Sequence, residues 1–597
     1  MTISHFQAPD APGFKLDPRV IGAFGRFAGG FWQGATRFRA WALTLGLIAF
    51  LILSTGATVA LNHWNRSFFD SLENRDVGAL GHAVLLFAFI IAGMAAIGVG
   101  IVLARETLQV DWRAWVVKHL VDRWLARQRF YHLNVTGREP PNPEYRISDD
   151  TRWATEPLVD LGIGLVSAVA GAIAFISILW SVGGSYTLSL GSMGTVTIPA
   201  YMVIVALTYG ALASGLMLWV GAPLVGYVGR KNEAEGYFRF AMMRIRDNAE
   251  SVALMNGARY EQAVLGRFYN TVVARWMAMV WQHGHLTWIT NSVGPMKQYI
   301  PLLFLAPKYL SGDLTLGQVT QLAAAFVEVQ IAISWLVDNY NRVAEWYASA
   351  RRVMDIVDAC DDIDPEIERT SPKPTRPGEG AVVQLSDFEI GDGTGRPLLS
   401  GVDLSAGPGE AVHVHGDSST GKSTLVRVLA GLWPAARGGL TLPDRSEVMI
   451  APQKSYLPLG SLKGALLYPD PTLEVPEERL RAALDKVDLS ALGSRLDEVA
   501  RWDQVLSNGE RQRLAMARLL IHRPRAIILD DALSALDESA QSALLARLRS
   551  ELPNATVVSL AQRPAPLGAH DRHLVLHRRA DNSAFMGSHA PALADAK

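Results

Sequence analysis

The sequence predicts a chain in two parts: a polytopic bundle of membrane helices, then a soluble α/β domain that binds a nucleotide. Three observations predict it. Long stretches of the N-terminal half carry no charge, a proline-rich polar segment follows them, and a Gly-rich loop ending in Gly-Lys-Ser stands behind a short apolar run in the C-terminal half. Composition agrees. Of 597 residues, 49% are hydrophobic and 19% charged, with 16 Trp and a mean hydropathy of +0.15, whereas an average soluble domain is ~25% charged. This excludes a disordered chain, which needs low hydrophobicity and high net charge. The lone cysteine, Cys360, excludes an internal disulfide and a cysteine-clustered metal site. A net charge of −1 argues against a protein that coats nucleic acid, so membrane lipid rather than nucleic acid is the expected surrounding.

Charge-free runs place the spans. Ala40–Leu61 and Val77–Ala104 lack Asp, Glu, Lys and Arg, and Leu161–Gly229 is 69 uncharged residues. A span takes ~20 apolar residues, so the long stretch supplies two, with Gly183–Val196 as the turn between them. Weaker runs follow, interrupted by Lys297 and Glu328. Six transmembrane helices are expected, at about 40–61, 80–104, 158–182, 197–222, 284–306 and 318–338, within a membrane domain of residues 1–360. Loop charges agree: 105–157 and 223–282 carry 9 and 8 Lys+Arg, while the alternate loops hold little beyond Arg66, Arg75 and Lys308. That asymmetry puts both termini in the cytoplasm. The first residues lack the basic and apolar regions of a cleavable leader. Residues 18–38, with Phe24, Phe27, Phe31 and Trp32, read as an amphipathic helix on the membrane surface. Trp64, Phe68 and Phe69 read as an interfacial belt. Lys297 is expected to snorkel to the interface, and His283 and His285 to lie at the membrane edge. Glu328 has two readings: a carboxylate on a substrate pathway or proton relay, or one lining a wide aqueous vestibule.

Residues 361–380 are polar and proline-rich and read as a linker. Beyond it, short apolar runs alternating with helical patterns predict an α/β domain over 381–583, with buried strands at 411–415 and 526–529 and a polar tail over 584–597. The first of these strands leads into Gly416-Asp-Ser-Ser-Thr-Gly421-Lys422-Ser423-Thr424. Glycines there let backbone N–H groups close around phosphate oxygens, and the following helix offers its positive end. Gly416, Ser418, Gly421, Lys422, Ser423 and Thr424 are the expected phosphate-binding residues, with Lys422 reaching the β and γ phosphates and Ser423 ligating Mg²⁺. Asp530 ends the second strand and is placed to hold the same Mg²⁺.

Between these motifs stands Leu506-Ser-Asn-Gly-Glu-Arg-Gln512. The three in this order resemble an ABC-transporter ATPase. The resemblance implies ATP and Mg²⁺ as cofactors, a Q-loop glutamine at Gln453 (water and metal), a signature Ser507 and Gly509, and a D-loop Asp537. It also implies a dimer, in which the P-loop of one domain faces the signature of the other. The chain departs from the pattern at Ser419 and Asn508, and no adenine-stacking aromatic is evident around Gly391-Asp392. Two departures touch catalysis. The water-polarising carboxylate, usually Glu, is Asp531, and the switch His is Gln562. Asp is one methylene shorter, and misplacement of about 1 Å can cost ~10² in rate. Gln donates a hydrogen bond but carries no charge. ATP binding is therefore expected to be retained and hydrolysis to be slow.

Outside the ATPase, Leu61–Asp76, Trp112–Trp115, Asn142–Ile147, Arg246–Ser251 and Ala306–Gln321 resemble segments of SbmA/BacA-type transporters in their ATPase-fused form, and more distantly the peroxisomal fatty-acyl transporters. This implies a type IV, exporter-like fold: six spans and one ATPase domain per chain, a homodimer (or a heterodimer whose partner supplies the missing catalytic residues), and a bacterial inner membrane. It implies uptake of peptides, cobalamin or bleomycin-like hydrophilic solutes through a large central cavity. The alternatives are an exporter or flippase of lipids or acyl-CoA, and a proton-coupled permease whose weakly hydrolysing ATPase domain is regulatory.

Overall fold

The fold is taken from a computed structural model that describes residues 17–189, 195–370, 374–378, 380–391, 397–417, 420–433, 436–564, 568–579 and 583–588. The chain divides into two compact units. One comprises residues to Arg127 together with Arg138–Cys360, the other Gln128–Gly137 together with residues from Asp361 onward.

The first unit is helical. Five helical segments lying wholly or mostly in it are long and apolar enough to cross a membrane: Arg37–Glu73, Val77–Val135, Pro143–Gly183, Tyr201–Asp247 and Leu316–Arg369. The expected span at 284–306 lies inside the 53-residue helix Ala258–Leu310, which is not among the five. Lys297, Gln298, Asn291, His283 and His285 dilute its apolar run, so five helices rather than six meet the requirement among the described residues. His283 and His285 are exposed and Lys297 half-buried. The turn expected near 183–196 is an antiparallel hairpin, Ser185–Ser189 with Thr195–Pro199. Beside it Lys308 Nζ donates to the Gly183 carbonyl at 2.9 Å and lies 5.1 Å from the Tyr201 ring centre.

The N-terminal segment differs from expectation. A helix over Pro18–Ala28 is followed by a 3₁₀ turn, Gly29–Trp32. Phe24 and Phe31 are 1% and 2% exposed. Trp112 Nε1 donates to Ala28 O at 2.9 Å, and the Trp32 and Trp112 rings meet edge-on at 5.1 Å. The apolar face is spent on protein core instead of lipid. Trp64 also packs internally: its Nε1 donates to Ala83 O at 2.7 Å and its ring lies 4.6 Å from that of Phe87.

Two of the segments singled out in the sequence touch each other. The first four N–H groups of a helix lack internal partners, and the helix Leu316–Asp338 receives carboxylates there. Leu316 N donates to Glu73 at 2.9 Å and Gly317 N to Asp70 at 3.1 Å. One turn on, Asn62 Nδ2 donates to Gln321 O at 3.1 Å. A Cβ at Gly317 would lie 2.2 Å from the Arg66 carbonyl, so only glycine lets the helices approach this closely. At another level Arg352 grips the almost fully buried Asp150 with two bonds of 2.7 and 2.8 Å, and Arg146 pairs with Asp355 at 2.7 Å.

Helix Tyr340–Thr370 continues through the first half of the expected linker. Ile363 is buried and Asp364 holds Arg129 at 2.7 Å, which gives this polar stretch a reason to stay helical. Cys360 is fully buried. Farther along the linker, Thr375 exchanges backbone bonds with Leu440 and Leu442.

The second unit is built on a nine-stranded sheet. Its spatial order is Ala436–Thr441, Val383–Gly391, Pro397–Ala406, Ala584–Ser588, Arg572–Arg578, Ala411–Gly416, Thr556–Ala561, Ala526–Asp530 and Val448–Ala451. The last five run parallel to one another, and the strands at 411–416 and 526–530 are almost wholly buried. Residues 584–588, expected in a polar tail, form a strand paired antiparallel with Arg572–Arg578. Ala584 is buried and Met586 packs on the core, which outweighs the polar residues around them.

Candidate functional site

Parallel α/β sheets present their chemistry at the carboxyl ends of the strands. Four adjacent strands do so here. Ala411–Gly416 runs into the Gly-rich loop, Thr556–Ala561 into Gln562, Ala526–Asp530 into Asp531, and Val448–Ala451 into Gln453. Register keeps these ends level: Ala561 lies beside His415, Asp530 beside Leu560 and Leu529 beside Ala451.

In the Gly-rich loop a Cβ at Gly416 would lie 2.8 Å from the Leu576 carbonyl. Gly421 has φ +88°, and a Cβ there would meet Leu399 at 2.8 Å. Gly421 caps the helix Lys422–Leu429, whose first turn carries Ser423, exposed, and Thr424, half-buried. Lys422 Nζ donates to the carbonyls of Gly416 and Asp417 at 2.5 and 2.6 Å. Burial lowers its pKa, against the pull of Asp531, Asp417 and Asp530. Ser418 and Ser419 lie outside the described residues, as does Asp392.

Asp530 is half-buried. Burial and then the neighbouring Asp531 raise its pKa, while Arg427 and Lys422 oppose this. Two adjacent carboxylates suit a divalent cation, and Ser423 offers a hydroxyl of the kind that completes such a site. The residues present therefore fit Mg²⁺. Gln453 Nε2 donates to Asp531 Oδ2 at 3.2 Å. Asp531 itself has φ +50° and its N–H donates to Leu560 O at 2.8 Å. Asp is one of the few residues that visits the left-handed region readily, which gives a local reason for Asp at this position. Gln562 is exposed just past its strand.

Ser507 and Gly509 belong to a different element, the start of helix Asn508–His522. Ser507 is its N-cap in a reciprocal capping box: Ser507 N and Oγ each donate to Glu510 at 2.8 Å, and Glu510 N returns a bond of 3.3 Å. These bonds hold the Glu510 carboxyl below its usual pKa. Gln512, buried, accepts from Ala535 N at 2.9 Å and donates to Ser534 at 3.4 Å, tying this helix to the segment before Asp537. Asp537 caps the next helix by accepting from Ala540 N. The Ser-x-x-Glu spacing was a readable capping signal. A set of four histidines, His413, His415, His570 and His573, lies beneath the Gly-rich loop, and no motif marked it. In the membrane unit Glu328 is half-buried on helix Leu316–Asp338.

Comparison with known proteins places both halves. Residues 34–309 match the family described as ABC transporter transmembrane region 2, and residues 399–534 match the ABC transporter family. An ABC transporter ATP-binding protein of Synechocystis is 28% identical, over 89% of this chain and 80% of its own length. The inner membrane ABC transporter ATP-binding protein YddA of Escherichia coli is 26% identical, over 89% of this chain and 93% of its own. The chloroplastic ABC transporter D family member 2 of Arabidopsis thaliana is 26% identical, over 92% of this chain and 85% of its own. Apolar helices of spanning length in one unit, and a nucleotide loop and carboxylate pair on neighbouring strand ends in the other, agree with both matches. The chain is a multi-pass ABC half-transporter, an ABC transmembrane region fused to one ABC ATPase domain that couples ATP hydrolysis to transport.

Proposed function

We propose that this chain forms a homodimer in a bacterial inner membrane and takes up peptides or other hydrophilic solutes, driven by ATP with Mg²⁺. The arrangement of Gly416, Lys422, Asp530, Asp531, Gln453 and Gln562 on four level strand ends carries the ATP part of this reading. Gly416, Ser418, Gly421, Lys422 and Thr424 cradle the phosphates. Ser423, Gln453 and Asp530 hold Mg²⁺, which screens phosphate charge when bound. Asp531 orients the attacking water, and Gln562 donates to a γ-phosphate oxygen. The partner's Ser507 and Gly509, at a helix N-terminus with positive partial charge, close on the same phosphates, and Asp537 follows in the adjoining loop. Hydrolysis is slow, because the Asp531 carboxylate is short and Gln562 is uncharged.

Hydrophilic cargo is supported by the half-buried carboxylate of Glu328 in a helix of spanning length and by the likeness of Leu61–Asp76 and Ala306–Gln321 to peptide transporters. A position in the inner membrane is supported by YddA. The likeness to D family transporters supports a second reading, movement of lipid or acyl-CoA. The test is accumulation of labelled peptide, cobalamin or acyl-CoA in proteoliposomes holding the full chain, with and without ATP. ATP-dependent uptake of peptide or cobalamin, abolished by Lys422→Ala and reduced by Glu328→Gln, is expected. Acyl-CoA transport alone would establish the second reading. Solute uptake that survives Lys422→Ala but collapses with the proton gradient would replace both with a proton-coupled permease.

A further inference from the structure

Beneath the nucleotide loop, one face of the P-loop strand carries two histidines. Ala411, His413 and His415 share one face of Ala411–Gly416, while Val412 and Val414 join the core on the other. His413 sits mid-strand, with Ser559 beside it on one neighbour and His573 on the other. It is 2% exposed. A buried imidazole must satisfy its polar atoms or bear the cost, and among the described residues His413 does so through a single contact: Nε2 lies 3.1 Å from the carbonyl oxygen of Arg563. A carbonyl only accepts, so Nε2 carries the hydrogen and donates it. Nδ1 is buried with no partner among the described residues.

The acceptor is what gives this bond a function. Arg563 directly follows Gln562, and strand Thr556–Ala561 ends one residue earlier. Beyond Ala561 the ladder no longer fixes the backbone, and the bond from His413 is a tie from the P-loop strand to the first turn of the chain past it. The returning chain is held similarly, by His570 Nε2 at 2.8 Å from Ser559 Oγ.

We propose that His413 is a positioning residue for ATP hydrolysis: by holding the Arg563 carbonyl it fixes the backbone that presents Gln562 to the γ-phosphate. It touches no substrate and acts through Gln562, so the proposal rests on the role given to Gln562 above. Among the described residues no group of His, Cys, Asp and Glu is arranged to hold a metal ion.

The test compares His413→Leu, which removes the donor, with His413→Gln, whose amide nitrogen reaches a position close to Nε2. Each is made in the full chain, alone and with Gln562→Ala, and ATPase kcat and KM are measured beside the melting temperature. We expect His413→Leu to lower kcat about tenfold with KM changed less than about twofold, less than the ~10² that a full ~1 Å misplacement can cost. His413→Gln should recover most of it, and His413→Leu should add nothing once Gln562 is Ala. Should the Leu variant fail to fold, His413→Asn takes its place, since its amide is too short to reach Arg563. Three results overturn the proposal: Leu and Gln variants equally slow, a Leu loss that persists in full beside Gln562→Ala, or a Leu variant at the native rate. A native rate for Gln562→Ala alone overturns the role of Gln562 and the proposal with it. A slow Gln562→Ala beside a native His413→Leu removes the proposal only.

Discussion

The two units use their distinctive residues in opposite ways. In the ATPase unit the singled-out residues stand open at strand ends: Gln453, Asp531 and Gln562 lie just past the strands that carry them. In the membrane unit the singled-out segments are consumed by one another. Asp70 and Glu73 cap the helix that begins at Leu316, Asn62 bonds Gln321, and Gly317 exists so that two helices can touch. A motif in the first unit announces chemistry, and a motif in the second announces assembly. The cause is local: a strand end can leave polar groups open for a ligand, whereas the first N–H groups of a helix need partners from outside it.

Gly317→Ala tests this contrast most severely. The added methyl would stand 2.2 Å from a backbone oxygen, and relief requires moving a helix. A loss of several kcal/mol is expected, read as a collapse in the yield of folded, detergent-stable protein. Asp70→Ala should cost ~1–2 kcal/mol through the same contact. In either variant, protein that does fold should retain its KM for ATP. A changed KM with unchanged stability would break the comparison, because it would put chemistry where only assembly is expected.

A change of pH probes the other unit. Burial first, then the neighbouring histidines, pushes His413 down to about 4 and His570 down to about 3. The groups around them are His415, His573, Arg549 and Asp571. In the unfolded chain both imidazoles titrate near 6.5. As pH falls below that value, the unfolded chain takes up protons that the folded domain refuses. Stability is therefore present above pH ~6.5 and is lost down to the folded value, on the order of 3 kcal/mol for His413. Melting temperature measured from pH 7.5 to 5 should fall more steeply in the native chain than in His413→Gln. Parallel slopes would show that the imidazole is not buried neutral.

Asp531→Glu sharpens the comparison with a smaller effect. The longer side chain should raise kcat about tenfold, and the left-handed backbone at this position should lower stability by ~1 kcal/mol. Gln562→His should add to the rate. No change with either would mean that a water already bridges the shorter groups.

Legibility followed the same divide. The P-loop strand, the Asp530 strand and the order of the motifs were readable because nucleotide chemistry dictates residue type and spacing. The expected span at 284–306 falls inside a helix whose polar residues, Asn291, Lys297 and Gln298, keep it less apolar than the other five. Residues 361–370 read as a linker because their polarity conceals one buried Ile363 and one ion pair, Arg129 with Asp364. Phe24 and Phe31 read as membrane-facing because an amphipathic pattern names an apolar face and not what covers it. The histidines at 413 and 570 left no signal, as their meaning depends on a contact 150 residues away in one case and on a returning loop in the other.

The burial of Cys360 bears on how motion in this chain can be watched. The only thiol is fully inaccessible, so maleimide and nitroxide reagents should pass over the native protein. Cysteines placed at the exposed Ser494 and Ser550, outside the nucleotide site, would then be labelled against a silent background. Distances between the two sites could be followed through a turnover cycle by spin or fluorescence pairs, without first building a cysteine-free variant.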